Sequence, residues 1–171
     1  DNVRPPLSVR QALSDPQRDF NRVVLPPMSY LHEQDKVQNR WPAAEAFIRE
    51  NGLNEVFGPQ TAPVGLVVQG GMYNGVVRAL QRLGLADMED RSAVPIYVLN
   101  VTYPLVGDEF KSFAEGKDAL LVVEEGQPEF IEQGLATMLN RAGSPVRLHG
   151  KNVFPMAGEY TGQVMLDSIT A

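Results

Sequence analysis

Leu120-Leu121-Val122-Val123-Glu124-Glu125-Gly126 reads as a strand with a turn at its end. Four apolar residues in succession, two of them β-branched, leave no polar face. That is the pattern of a strand buried on both sides inside a parallel sheet. Two adjacent carboxylates and a glycine follow where the strand stops. Open α/β sheets build their sites at the carboxyl ends of strands, so Glu124 and Glu125 are the first candidates for function. Consecutive residues leaving a strand point to opposite faces, so the two cannot converge on one substrate without a local twist. An acid/base pair with split pKa values is one reading. The others are an interface hydrogen-bond acceptor and a negative charge near the N-terminus of a helix beginning around Gln127.

The flanking sequence repeats the same grammar. Downstream, Pro128 suits the first turn of a helix that runs to about Arg141, with Phe130, Ile131, Leu135, Met138 and Leu139 forming its apolar stripe. Val146-Arg147-Leu148 reads as a short strand and Val153-Phe154 as a further one. Thr161 is a cap for a last helix carrying Val164, Met165 and Ile169. Upstream, Val64–Val68 and Ile96–Val101 are strands, the second stopped by Tyr103-Pro104. Between them lies a helix with Tyr73, Val76, Val77 and Leu80 on one side and Gly84 at its end. A short helix with Phe110, Phe113 and Ala114 inward closes at Gly116. Strands alternating with helices of this length imply βαβ units and a mostly parallel sheet covered on both faces, a three-layer α/β/α domain.

The first part of the chain differs. Pro5, Pro6, Pro16, Pro26 and Pro27 punctuate an extended arm with one helical turn near Val9–Leu13. Val37, Trp41, Ala44 and Ile48 then fall on one helical face, with Pro42 predicting a kink or a fresh start and Asn51-Gly52 a C-terminal cap. The division expected is an N-terminal arm and helical linker over 1–62 and the α/β domain over 63–171.

Composition removes several functions. The chain has 171 residues and no cysteine, which excludes disulfides, cysteine nucleophiles and cysteine-ligated iron–sulfur clusters within it. A formal net charge of -6, with no Lys/Arg cluster, argues against a nucleic-acid surface. No apolar run approaches the roughly 18–20 residues that span a bilayer, and no signal peptide is visible, so a cytoplasmic location is expected. The first residue is Asp1 rather than Met, which suggests a piece of a longer chain.

Few motifs carry chemistry. Gly70-Gly71-Met72-Tyr73-Asn74-Gly75 joins a strand to a helix, where backbone N–H groups could hold a phosphate, with Gly70, Gly71 and Asn74 as the candidate contacts. The spacing is GGxxxG, not GxGxxG, and no P-loop Lys-Ser/Thr follows; a tight turn that lets the helix pack close to the sheet is the plainer explanation. His32 and His149 are the only histidines and lack metal-site spacing, so no metal ligand is assigned. There is no GxSxG elbow. Tyr103-Pro104 and Pro155–Tyr160 place aromatic and polar groups together at the ends of elements, as a domain contact would.

Five segments taken together carry a family resemblance: Pro42–Asn51, Gly65–Tyr73, Val101–Leu105, Leu121–Glu125 and Gly150-Lys151 with Gly158-Glu159-Tyr160-Thr161. In this order they resemble the middle domain of the long, fused indolepyruvate ferredoxin oxidoreductases, from about Asn21 to Thr170. The resemblance implies a transketolase C-terminal-like fold with a five-stranded mixed sheet. It implies a parent enzyme that uses thiamine diphosphate, magnesium and iron–sulfur clusters to decarboxylate arylpyruvates such as indolepyruvate oxidatively, forming an acyl-CoA and reducing ferredoxin. Thiamine and the clusters belong to other domains there, and this sequence has no GDG-type diphosphate motif and no cysteine. The chain is therefore expected to be a non-catalytic assembly domain, binding no cofactor itself. Its expected partners are the thiamine-binding and iron–sulfur domains, ferredoxin and coenzyme A act on the whole enzyme, and the full-length protein is expected to form a homo-oligomer, a dimer. No catalytic residue carries over. Tyr73, Tyr103, Glu124, Glu125 and Glu159 are the candidate interface residues, one of the glutamates meeting the thiamine-binding domains while the other is solvated or caps the next helix. Two other readings compete: a small flavodoxin-like module that binds a nucleotide or flavin phosphate at Gly70–Gly75, and an acid/base enzyme centred on Glu124.

Overall fold

The computed structural model describes residues 24–171; the turn expected over Val9–Leu13 lies outside them. Two compact units divide the chain at residues 43 and 44. In the first, α1 (Met28–Asp35) leads into a π-helical turn, Lys36–Arg40. Helix α2 (Trp41–Glu50), with Pro42 in its first turn, spans the division, so its residues from Ala44 onward belong to the second unit. The Trp41 N–H donates five residues back to the Lys36 carbonyl, and Pro42 has no N–H to continue an α-helical ladder. Of the kink or fresh start expected at Pro42, the structure shows the fresh start, preceded by this change of helical register. On the expected packed face Ile48 is buried, whereas Val37 is exposed.

The second unit contains a five-stranded sheet. Its elements are β1 (Glu55–Phe57), β2 (Val64–Gln69), α3 (Tyr73–Arg82), β3 (Ile96–Leu99), α4 (Gly107–Ala114), β4 (Ala119–Val123), α5 (Phe130–Arg141), β5 (Arg147–His149) and α6 (Gly162–Thr170). The strand order is β1-β3-β2-β4-β5. Strand β2 is central, parallel to β3 from Leu66↔Ile96 to Gln69↔Leu99 and to β4 from Val64↔Ala119 to Val68↔Val123. Strand β5 adds in parallel to β4, and β1 runs antiparallel to β3. The chain leaves β2 toward β3, then crosses back over it to β4, so the switch in winding direction lies at β2.

Both faces of β2, β3 and β4 are covered, as their unbroken apolar runs require. On one face Leu66, Val68, Ile96 and Val98 pack with Val76, Val77 and Leu80 of α3 and Met165 of α6. On the other, Val67, Tyr97, Leu120 and Val122 pack with Phe110 and Phe113 of α4 and Leu135 of α5. Each such side chain contributes about 1.5–3 kcal/mol by leaving water. The mixed three-layer α/β/α fold expected from the sequence is the one observed.

Four details differ from expectation. The sheet reaches back beyond residue 63, because Glu55–Phe57 pairs with β3 as its edge strand. Val153-Phe154 is a turn: the N–H groups of both residues return to the Gly150 carbonyl. The α-helix after β4 starts at Phe130, two residues later than Pro128. Phe130 itself is 69% exposed and lies off the inward stripe of Ile131, Leu135 and Leu139.

Gly65, inside β2, explains how a lysine is buried beside a sheet. A Cβ there would lie 3.0 Å from the Phe113 ring, 3.1 Å from Leu120 and 3.1 Å from Lys117 Cε. Lys117 is 5% exposed, donates to the Gln60 carbonyl at 3.2 Å, and sits 4.6 Å from the Phe113 ring centroid. Burial lowers its pKa, while the carbonyl and the ring face stabilise the charge. Nearby, the Tyr97 hydroxyl donates to Glu109 Oε2 at 2.9 Å, and Asn54 Nδ2 donates to the same oxygen at 3.0 Å. Asn54 Oδ1 accepts from the Val101 N–H at 3.0 Å, so this cluster ties the edge strand to α4.

Gly65→Ala is expected to lower stability by about 1–3 kcal/mol in chemical denaturation, the typical cost of overpacking; an unchanged midpoint would show that Phe113, Leu120 and Lys117 yield freely. Burial and Glu109 raise the Tyr97 pKa well above the unfolded value of 10.0. Stability from this group is therefore complete below pH 10 and is lost as pH rises above it. Phenolate absorbance from Tyr97 should appear only with alkaline unfolding, and Tyr97→Phe should remove that component.

Candidate functional site

Sites in such sheets form where the parallel strands end at a switch in winding direction. Here that place is the carboxyl end of β2, flanked by the ends of β3 and β4. Alternation along β4 governs what arrives there: Val123 faces α3 and α6, so Glu124 turns to the α5 side and Glu125 back again.

Glu124, 7% exposed, accepts the Ile131 N–H on Oε1 at 3.0 Å and the Glu132 N–H on Oε2 at 3.1 Å. These are among the first N–H groups of α5, which have no carbonyl partner within the helix. A carboxylate there also faces the positive end of the helix dipole. Glu125 accepts the Tyr160 N–H at 2.6 Å, while its own N–H donates to Gln69 Oε1 at 3.2 Å. One glutamate thus holds α5 and the other holds the segment entering α6. They do not meet at a common point.

The segment from Gly150 to Thr161 is fastened at several further atoms. Glu132 Oε2 accepts the Lys151 N–H at 2.7 Å. Gly150 packs so closely on the Glu132 carboxylate that a Cβ would overlap it. Lys151 Nζ donates to the Tyr160 hydroxyl at 2.6 Å and lies 4.8 Å from that ring's centroid. The Tyr160 hydroxyl donates to the Pro155 carbonyl at 2.7 Å, and its ring stacks on Phe154 at 5.0 Å. Thr161 Oγ1 caps α6 by accepting the Val164 N–H at 3.3 Å. Gly150-Lys151 and Tyr160-Thr161 are therefore two ends of one closed loop. Glu132 and Gln69 were not singled out from the sequence. Their signal is long-range, because neither lies within ten residues of the group it holds.

At the end of β2, Gly70–Met72 forms a single 3-10 turn before α3. A Cβ on Gly70 would lie 2.8 Å from Asn100 Oδ1 and 3.3 Å from the Leu99 carbonyl. The need for glycine there is explained by close packing against β3. Asn100 Nδ2 in turn donates to the Leu53 carbonyl at 3.0 Å and Glu55 Oε2 at 2.8 Å. Gly71 and Asn74 are exposed. Tyr73 packs its ring on Phe57 with centroids 5.3 Å apart; burial, with Asp90 and Glu55 nearby, raises its pKa. Tyr103, 68% exposed, follows β3, and Phe130, 69% exposed, follows β4. Met156 and Glu159 are exposed in the loop after β5. Apolar surface therefore accompanies three successive strand ends. Among the described residues no group of three or more His, Asp or Glu is placed to hold a metal, and no helix is long and apolar enough to cross a membrane.

Comparison with known proteins matches residues 54–170 to the family model described as an indolepyruvate oxidoreductase domain. Indolepyruvate oxidoreductase subunit IorA of Methanothermobacter thermautotrophicus is 32% identical over 157 residues, covering 90% of this chain and 24% of that protein. The subunit of the same name from Pyrococcus abyssi is 29% identical over 117 residues, covering 68% of this chain and 17% of that one. The chain thus spans a quarter or less of the length of these relatives. Among solved structures, an inactive β4 tetramer of a split-gene transketolase aligns with a TM-score of 0.49 and 17% identity, covering 70% of this chain and 40% of that one. A 2-oxoglutarate:ferredoxin oxidoreductase from Magnetococcus marinus, solved with 2-oxoglutarate, coenzyme A and succinyl-CoA bound, aligns with a TM-score of 0.48 and 17% identity, covering 85% of this chain and 23% of that one. With more than half of its residues matched by one family model, and that match coinciding with the α/β unit, the chain belongs to the indolepyruvate oxidoreductase domain family.

Proposed function

We propose that this chain is a non-catalytic assembly domain of a 2-oxoacid:ferredoxin oxidoreductase that depends on thiamine diphosphate and acts on arylpyruvates such as indolepyruvate. The cofactor, its magnesium and the iron–sulfur clusters are held by other domains of that enzyme. The observation that carries the reading is the internal use of both candidate carboxylates: Glu124 binds two N–H groups of α5 and Glu125 binds the Tyr160 N–H.

A group that activates thiamine or moves a substrate proton needs a carboxyl within hydrogen-bond reach of the reacting atom. Glu124 is buried against the start of α5. The residues at this end therefore do not fit thiamine diphosphate and its metal, and with no cysteine they do not fit a cluster. What they fit is docking. Phe130 at the start of α5 and Met156 in the loop after β5 expose apolar area on segments that the Glu124, Glu125 and Glu132 hydrogen bonds fix in place, and Tyr103 exposes more after β3. Large side chains of this kind on a rigid frame make effective contact anchors. The ordering contributed by the glutamates lowers the entropic cost of forming such a contact.

Two measurements test the proposal. Thiamine diphosphate with magnesium, titrated calorimetrically into this chain, is expected to give no saturable heat; clear saturation would overturn the non-catalytic reading. In the complete enzyme, Phe130→Ser and Tyr103→Ser are expected to weaken assembly while leaving turnover per assembled enzyme unchanged. Phe130→Ser should cost this chain alone less than about 0.5 kcal/mol, as for an exposed position. Glu124→Gln should cost it about 1–3 kcal/mol, because an amide N–H would face a backbone N–H donor.

A further inference from the structure

A second feature lies at the opposite end of the sheet. In a parallel ladder, paired residues point to the same face, so the pairs Leu66↔Leu121 and Leu121↔His149 set three side chains side by side under the α3 and α6 layer. Leu80 and Leu85 close one wall and Ser168 of α6 the roof, around a cavity of about 410 Å³. Small-molecule sites typically measure roughly 300–1,000 Å³, and a void of about 150 Å³ is enough for benzene. This cavity therefore has room for a bicyclic ring system or a branched chain of similar bulk.

Two polar groups break its apolar lining. Ser168 is 7% exposed, on the inward stripe of α6 with Met165, and its hydroxyl has no hydrogen-bond partner among the described residues. Thr170 shows the alternative that a helical hydroxyl has, donating back to the Leu166 and Asp167 carbonyls at 3.0 Å. Ser168 makes no such bond. His149 is the other group. Asn152 Oδ1 accepts the Gly150 N–H at 2.8 Å, which fixes the amide so that Nδ2 donates to His149 Nδ1 at 3.1 Å. The ring hydrogen of His149 then resides on Nε2, as the donor left for a ligand. No Lys, Arg, Asp or Glu lines the cavity, so a charged ligand would lose its hydration without gaining a counter-ion.

We propose that this cavity is a binding site for an uncharged small molecule with an aromatic or branched apolar body and one hydrogen-bond-accepting oxygen, received by Ser168 and His149. The body replaces water against the Leu66, Leu80, Leu85 and Leu121 side chains, and the oxygen accepts from the serine hydroxyl and from His149 Nε2–H. The site is independent of the carboxyl-end surface. It is built from the amino-terminal halves of β2 and β4, on the face that carries α3 and α6.

Acetophenone, titrated into the whole chain and followed by methyl resonances in NMR, tests the site. Saturable shifts are expected at the Leu66, Leu80, Leu85 and Leu121 methyls and not at residues around Tyr103 and Phe130. Ser168→Ala and His149→Phe should each weaken binding about two- to tenfold, the loss of one hydrogen bond, and benzoate should bind at least about tenfold more weakly than acetophenone. Ser168→Met, which removes the hydroxyl and projects a larger apolar side chain into the cavity, should weaken binding at least as much as Ser168→Ala without lowering the melting temperature. Absence of saturation, benzoate binding equal to acetophenone, or unchanged affinity in a folded Ser168→Ala variant would each overturn the proposal. Should His149→Phe fail to fold, Ser168→Ala alone decides.

Discussion

Period-two alternation at the end of β4 is the constraint on which the carboxyl end of this domain depends. Val123 is buried toward α3 and α6, so Glu124 must turn toward α5 and Glu125 must turn back. Each then finds backbone N–H groups in the layer it faces: Ile131 and Glu132 on one side, Tyr160 on the other. A buried ionised carboxylate without partners would cost several kcal/mol. Hydrogen bonds to N–H groups that also lack partners satisfy both sides at once. The central strand thereby fixes the starts of two helices in opposite layers, and with them the loops that lead into those helices.

The same arithmetic decides which elements could be read from the sequence. Strands β2, β3 and β4 are flanked on both sides in the sheet and covered on both faces, so they need unbroken apolar runs, and such runs are visible in Leu66–Val68, Ile96–Leu99 and Leu120–Val123. Edge strand β1 has no such requirement. Glu55-Val56-Phe57 is short, and Glu55 and Val56 are exposed; what makes it a strand is its ladder with β3, a partner some forty residues away. Val153-Phe154 presents the opposite case. Its apolar character serves packing, with Phe154 stacked on Tyr160, while its backbone closes a turn onto Gly150. Local pattern reports burial and does not by itself report the direction of backbone hydrogen bonds.

The candidate site divides in the same manner. That Glu124 and Glu125 diverge was legible, because alternation is a local property. Their partners were not, since Tyr160 lies 35 residues from Glu125. Phe130 matches a helical stripe by spacing, yet it is the first residue of α5 and stands beyond the layer it would have packed against. Ser168 had no sequence signal as a ligand contact, since a serine between Met165 and Ile169 reads as an ordinary helix residue; only the cavity beneath it gives its hydroxyl a meaning.

The two ends of the sheet differ in how tightly they are filled. At the carboxyl end Glu124, Glu125 and Glu132 bind backbone N–H groups across gaps of 2.6–3.1 Å, and Gly70 and Gly150 have no side chain because Asn100 and Glu132 occupy that space. These hydrogen bonds hold the start of α5, which exposes Phe130, and the segment after β5, which exposes Met156. At the amino end the α3 and α6 face leaves a cavity, whereas on the other face the packing over β2 itself is close. There, Gly65 leaves just enough space for Phe113, Leu120 and the stem of Lys117. A sheet is one side chain thick on each face, so a residue type chosen at β2 for one face is set independently of its neighbour on the other. Gly65 and Leu66 stand side by side under opposite demands, close packing against a buried lysine and the wall of an open cavity. Alternation within a single strand therefore lets one end of a small domain anchor two helix starts, one face of the other end bury a charge, and its opposite face leave a cavity.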